Sequence, residues 1–251
     1  MKRILFYLFA CLFCVACESP DVQPPANENQ TEQETPAPPQ GPQEEEKPAP
    51  PEELPANANG HEYVDLGLSV KWASYNVGAN KPEEYGDYFA WGEVTPTDDY
   101  SWEAYKWCES DWTKLTKYCV NADMGVVDNK KVLDLADDAA RANWGGDWRM
   151  PTVLEQDELR EQCTWQWTVV NGVNGYKVIS SKNGNFIFLP AAGWKNDGFI
   201  SRQGTNGAYW SASILAVWPS SSAEYISFHD KNVIKHNIFR YFGQVVRAVL
   251  P

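Results

Sequence analysis

Apolar and polar positions fall into three regimes along the chain. Residues 4–15 form a nearly unbroken apolar run, residues 18–59 contain no aromatic side chain, and from His61 onward apolar residues recur at short intervals. In the third regime Tyr63, Leu66, Leu68, Val70 and Trp72 are interrupted at Gly67, a pattern that predicts two short strands joined by a tight turn. Residues 88–91, bounded by Gly86 and Gly92, predict another strand. Two helices follow. Residues 133–143 are alanine-rich, place Leu135, Ala139 and Ala142 on one face, and stop before Gly145-Gly146 as a glycine-terminated helix does. Thr152 with Glu155 forms a capping-box pattern, and Leu154, Leu159 and Cys163 continue it as an apolar stripe. Beyond Cys163 the pattern reads as strands at 165–170, 176–179 and 186–189, separated by Asn-Gly turns at 171–172, 174–175 and 183–184. Further strands are predicted at 199–200, 209–210, 225–228 and 245–249. Two helices beside a twisted, mainly antiparallel sheet make an α+β domain over residues 61–251.

The first two regimes read as an address and a spacer. Lys2 and Arg3 precede an apolar run shorter than the roughly 20 residues of a membrane-crossing helix, so the run predicts a signal peptide. Cys14-Val15-Ala16-Cys17 resembles the lipobox of bacterial lipoproteins, which makes residues 1–17 a lipoprotein signal and Cys17 the acylated residue. The only membrane contact expected is this N-terminal lipid anchor. Glu18 and Asp21 resemble the export signal of Bacteroidetes surface lipoproteins, so the expected location is the outer membrane, facing outward. Residues 18–60 hold 11 of the 17 prolines and 10 acidic residues against Lys47 alone. Such a segment cannot bury enough apolar area to offset its ordering entropy and is predicted to be a disordered, acidic, proline-rich linker. A net charge of −13 lacks the basic footprint that a phosphate backbone requires, which argues against a nucleic-acid partner.

Candidate chemistry is sparse. The 3 histidines, His61, His229 and His236, have no metal-ligand spacing, and no nucleophile-elbow motif occurs. Asp137 and Asp138, adjacent on a predicted helix, diverge. No catalytic residue, metal or cofactor is predicted. Cys108 and Cys119 flank a short aromatic loop and are expected to form a structural disulfide in an oxidising compartment, with Cys163 a buried thiol; pairing with Cys163 stays open. The strongest remaining signal is aromatic: all 12 tryptophans lie between Trp72 and Trp218. Trp72, Trp91, Trp148 and Trp210 are assigned to the core. Indole rings pack on the apolar faces of sugars while neighbouring polar groups take the hydroxyls. Trp194, Asn196, Asp197, Arg202 and Trp218, in the loop-rich stretch after Gly193, are therefore the candidate ligand residues, with Trp102, Trp107 and Trp112 of the cysteine loop as a second group.

Several strings recur as motifs in order: residues 63–73 (YVDLGLSVKWA), 85–93 (YGDYFAWGE), 148–152 (WRMPT), 188–193 (FLPAAG), 209–213 (YWSAS) and 246–249 (VRAV). Together they resemble the Fibrobacter succinogenes major paralogous domain of surface lipoproteins, over essentially residues 61–251. That resemblance implies a C-type-lectin-like fold, related to the formylglycine-generating-enzyme branch, with first and last strands together and a loop-rich ligand face. Trp194-Lys195-Asn196-Asp197-Gly198 also resembles the Trp-Asn-Asp element of calcium-dependent lectins, although Asn-Asp-Gly equally describes a hairpin turn. The function these readings imply is a non-enzymatic cell-surface lipoprotein that binds glycan or an extracellular protein. The alternatives are a structural or assembly subunit of a surface complex or fimbria and, further off, a glycan-acting hydrolase.

Overall fold

The computed structural model describes residues 56–214 and 220–251; the expected signal peptide with Cys17, the linker up to residue 55, and Trp218 lie outside the described residues. Backbone pairing starts before aromatic side chains do. Ala56–Ala58 forms β1 against β2 (His61–Val64) across Asn59 and Gly60, a two-residue hairpin with both central φ angles positive, at 51° and 86°. Residues 56–60, placed in the linker by composition, thus belong to the folded domain, because an edge strand hydrogen-bonds through its backbone whatever its side chains are. β3 (Lys71–Ala73) pairs with β2 on one side and with β12 (Val249–Leu250) on the other, so the sheet runs β1-β2-β3-β12.

Residues 88–91 make a strap rather than a strand. Phe89 bridges Gln244 and the Trp91 N–H donates to the Arg240 carbonyl at 2.8 Å, but these contacts do not extend into a continuous ladder. The helix predicted over 133–143 is also broken: a 3-10 turn at Leu135–Asp137 precedes α1 (Ala139–Trp144). Asp138 divides them. Its backbone is extended while its carboxylate accepts the N–H groups of Arg141 (3.0 Å) and Met150 (2.8 Å), so capping overrides the helix propensity of the surrounding alanines.

The capping box at Thr152 and Glu155 forms and opens α2 (Val153–Gln162). The predicted apolar stripe does not. Leu154 is 75% exposed, Leu159 is buried, and Cys163 lies beyond the helix as the first residue of β4. The helix docks instead through buried Gln156, whose amide donates to the carbonyls of Tyr209 (2.9 Å) and Trp210 (3.1 Å). Glu155 also closes an ion pair with Arg149 at 2.5 Å. Burial pushes the Glu155 carboxyl up, but the hydrogen bonds from Arg149 and the Thr152 N–H outweigh it, leaving the carboxyl below its ordinary value. A carboxylate depressed in the folded state contributes stability that is present above its unfolded pKa and lost as pH falls through the folded one. Wild type and Glu155→Gln should therefore differ in urea midpoint at neutral pH and converge on acidification below about pH 4; a constant difference across that range would disprove the assignment.

The remaining strands are antiparallel. β4 (Cys163–Val170), β5 (Val173–Ser180) and β6 (Phe186–Pro190) form one sheet, and β7 (Trp194–Asn196) and β8 (Phe199–Ser201) form a hairpin. β9 (Asn206–Ile214), β10 (Ser222–His229) and β11 (Asn232–Phe239) form a third sheet in the order β11-β10-β9. Asn171-Gly172 and Asn183-Gly184 are turns, as predicted, but Asn174-Gly175 lies inside β5. There the glycine serves close approach: a Cβ on Gly175 would stand 2.3 Å from the Leu189 carbonyl oxygen.

Trp72, Trp91, Trp148 and Trp210 are fully buried, as expected of core residues. Three of the four indoles also satisfy backbone. Trp91 donates to the Ser211 carbonyl and Trp210 to the Phe89 carbonyl, both at 2.8 Å, tying the strap to β9, while Trp148 donates to Ala58 of β1 at 2.9 Å. Buried Arg247 spans segments far apart in the chain, donating to Asn76 Oδ1, to the carbonyls of Ala73 and Ser74, and to the Phe188 carbonyl of β6. The domain is α+β and sheet-rich, with two α-helices among the described residues.

Candidate functional site

Four of the five candidate ligand residues lie on the β7–β8 hairpin or beside it. Asn196 pairs with Phe199, and the two-residue turn between them holds Asp197 (φ 47°) and Gly198 (φ 76°). Trp194, half-buried, packs against the core. Asn196 Oδ1 is buried with no hydrogen-bond partner among the described residues. Asp197 is exposed at the tip, whereas Arg202, also exposed, follows β8 at the other end, next to the Ser201–Trp194 pair. Asp197 and Arg202 therefore do not share a pocket.

The other edge of the hairpin positions it. The Lys195 N–H donates to the Gly243 carbonyl at 2.7 Å and the Gly243 N–H returns a bond to Lys195 at 3.0 Å, which seats β7 beside residues 241–243. Here the second group of candidates meets the first. Trp102, from the cysteine loop, packs edge-on against Tyr241 (centroids 5.0 Å apart) and Phe239 (5.7 Å), and Phe239 and Tyr241 stack at 5.9 Å with their planes 20° apart. Burial raises the Tyr241 phenol, and the charges of Asp197 and Glu103 raise it further. Residues 98–99 close the group: a Cβ on Gly198 would come within 3.7 Å of the Asp98 carbonyl oxygen. The result is a surface of three aromatic side chains next to the hairpin tip, with Phe239 43% exposed and Phe199, on β8, 75% exposed.

The rest of the cysteine loop is structural. The Trp107 indole donates to the Gly92 carbonyl at 2.7 Å and carries the ammonium groups of Lys106 and Lys117 over its ring. Trp112 is exposed, outside the aromatic group around Trp102. The expected Cys108–Cys119 disulfide is not formed, and all three described cysteines are free thiols. Each sulfur of that pair turns to a carbonyl instead, Cys108 to Trp102 (3.1 Å) and Cys119 to Asn121 (3.0 Å), around a small core of Leu115 and Met124. Burial pushes the Cys163 thiol up to about 11, away from nucleophilic character.

His61 and the adjacent Asp137 and Asp138 serve the fold. His61 stacks on Trp144 at 4.1 Å, and burial lowers its pKa. Asp137 accepts from the Tyr118 hydroxyl and pairs with Lys117, both at 2.5 Å, while Asp138 caps α1 and so points elsewhere. Among the described residues, no group of three or more His, Cys, Asp or Glu side chains is placed to hold a metal ion.

Phe239, Tyr241 and Glu103 were not singled out by the sequence reading. The aromatic run of residues 239–242, ending at Gly243, is the signal that could have found them. Compared with protein-family models, with curated proteins and with solved structures, the chain gives no match.

Proposed function

We propose that this chain is a non-enzymatic surface lipoprotein whose C-type-lectin-like domain binds glycan through the face formed by the β7–β8 turn, Trp102, Phe239 and Tyr241. The observation that carries the reading is that face itself: rings from two distant segments converge at the surface beside a turn with an exposed carboxylate. Sugar C–H faces stack on such rings, and their hydroxyls bond to such oxygens. The lipid anchor at Cys17, the acidic linker, the outward-facing outer-membrane location and the likeness to the Fibrobacter major paralogous domain complete the proposal. A linker of that kind would hold the domain away from the membrane, where an adhesin or accessory binder works.

A glycan array probed with the purified chain should give selective binding, unchanged by chelator because the face offers no calcium-ligand set. Trp102→Ala and Tyr241→Ala should each weaken it about tenfold, the loss of one aromatic stacking contact. A blank array, with a stable bacterial partner recovered from the outer membrane, would replace this reading with the assembly-subunit one.

A further inference from the structure

We infer that this face selects a cationic glycan, one whose hexosamines carry free protonated amines, over the same glycan in its neutral acetylated form; the inference rests on the glycan-binding reading above. Two independent features point the same way. The stacked Phe239 and Tyr241 rings and the Trp102 indole offer π faces, which attract cations. Beside them stand carboxylates without counter-ions: Glu103, next to Trp102 in the chain, and Asp197, at the hairpin tip, are exposed and make no ion pair among the described residues, although ion pairs form elsewhere.

The neighbouring cations are turned inward. The Lys195 ammonium lies 5.5 Å from the centre of the Tyr88 ring and 5.8 Å from that of Tyr100, both buried, and Arg240 is itself fully buried, over Trp91 and Tyr105. Neither ammonium nor guanidinium neutralises the rim of the face. A bound sugar amine would stand over the rings with Asp197 and Glu103 beside it, and an N-acetyl group at the same position would bring no charge to either carboxylate.

The test is calorimetric titration of the full chain with glucosamine oligomers and with N-acetylglucosamine oligomers of equal length. It is run at low salt and mildly acidic pH, where sugar amines are protonated and carboxylates remain ionised. The free-amine oligomers should bind about tenfold tighter, and added salt should narrow the gap. Asp197→Asn combined with Glu103→Gln should bring the two to within about twofold, since each exposed carboxylate contributes modestly. Asparagine tolerates the positive φ of position 197, so the variant should keep its unfolding midpoint. Equal affinity for both oligomers would overturn the charge selection and leave the glycan reading standing. Binding of neither would overturn both, and tight binding of an oligolysine peptide with no sugar binding would replace the glycan by a basic polypeptide.

Discussion

Arg247→Met should lower the unfolding free energy by about 4 kcal/mol, a large share of the roughly 5–15 kcal/mol that holds a domain folded. The guanidinium is buried and has no acidic partner among the described residues; its charge is spread over one amide oxygen and three backbone carbonyls at 2.8–3.1 Å. Methionine fills much of the volume but leaves those acceptors unpaired in a dry interior, at about 1–3 kcal/mol each before relaxation. Arg247→Lys keeps the charge and still fails, because one ammonium cannot reach acceptors contributed by Ala73, Asn76 and Phe188. Urea titrations followed by tryptophan fluorescence would measure both variants. A loss under about 1 kcal/mol in Arg247→Met would show that the fold does not depend on this cross-link.

Gly193→Ala should cost about 3 kcal/mol and also disturb the proposed binding face. Gly193 sits at φ 66°, and a Cβ there would lie 2.1 Å from the Ser201 carbonyl oxygen and 2.7 Å from the Gln203 nitrogen. Both obstacles are backbone, so no side chain can rotate away. Relief requires the β7–β8 hairpin to move, which pulls Lys195 from Gly243 and shifts the turn that holds Asp197. A lower thermal midpoint together with weaker glycan binding is the expected pair of results. Full stability in Gly193→Ala would mean that the hairpin is free to shift.

The features read correctly in advance were those that local chemistry dictates. Thr152 and Glu155 cap a helix because each supplies what the other's backbone lacks, and Asn171-Gly172 turns because both residues accept positive φ. Where sequence and structure part, a tertiary contact decides. Gln156 docks α2 where an apolar stripe was expected, since two carbonyls of β9 need its amide. Asp138 interrupts an alanine-rich run because Met150, twelve residues on, also needs an acceptor. Asn174-Gly175 has the letters of a turn but sits where β6 comes too close for any side chain.

The candidate site was legible only in halves. Trp102 and the hairpin residues Trp194, Asn196 and Asp197 stood out as aromatic and polar residues in loops. Nothing local to either stretch indicates that Tyr241 stands between them. Cys108 and Cys119 had a plausible disulfide spacing, yet the direction each sulfur takes depends on the carbonyls of Trp102 and Asn121.

The pairing of Val249 with Trp72 and of Leu250 with Lys71 sets the order in which this molecule can assemble. β3 is made early and its partner β12 only after every other strand described, so the sheet that holds β1 and β2 lacks its final strand until then. Contacts this distant in sequence are slow to close, because the loop entropy is lost before any pairing compensates it. Hairpins such as β4–β5 and β9–β10 form from neighbouring residues and need not wait. A nascent chain halted before residue 249 would therefore hold local hairpins around an open core, a threadable state. Cooperative protection from proteases should arrive in one step, when the Val249–Leu250 segment emerges and joins β3.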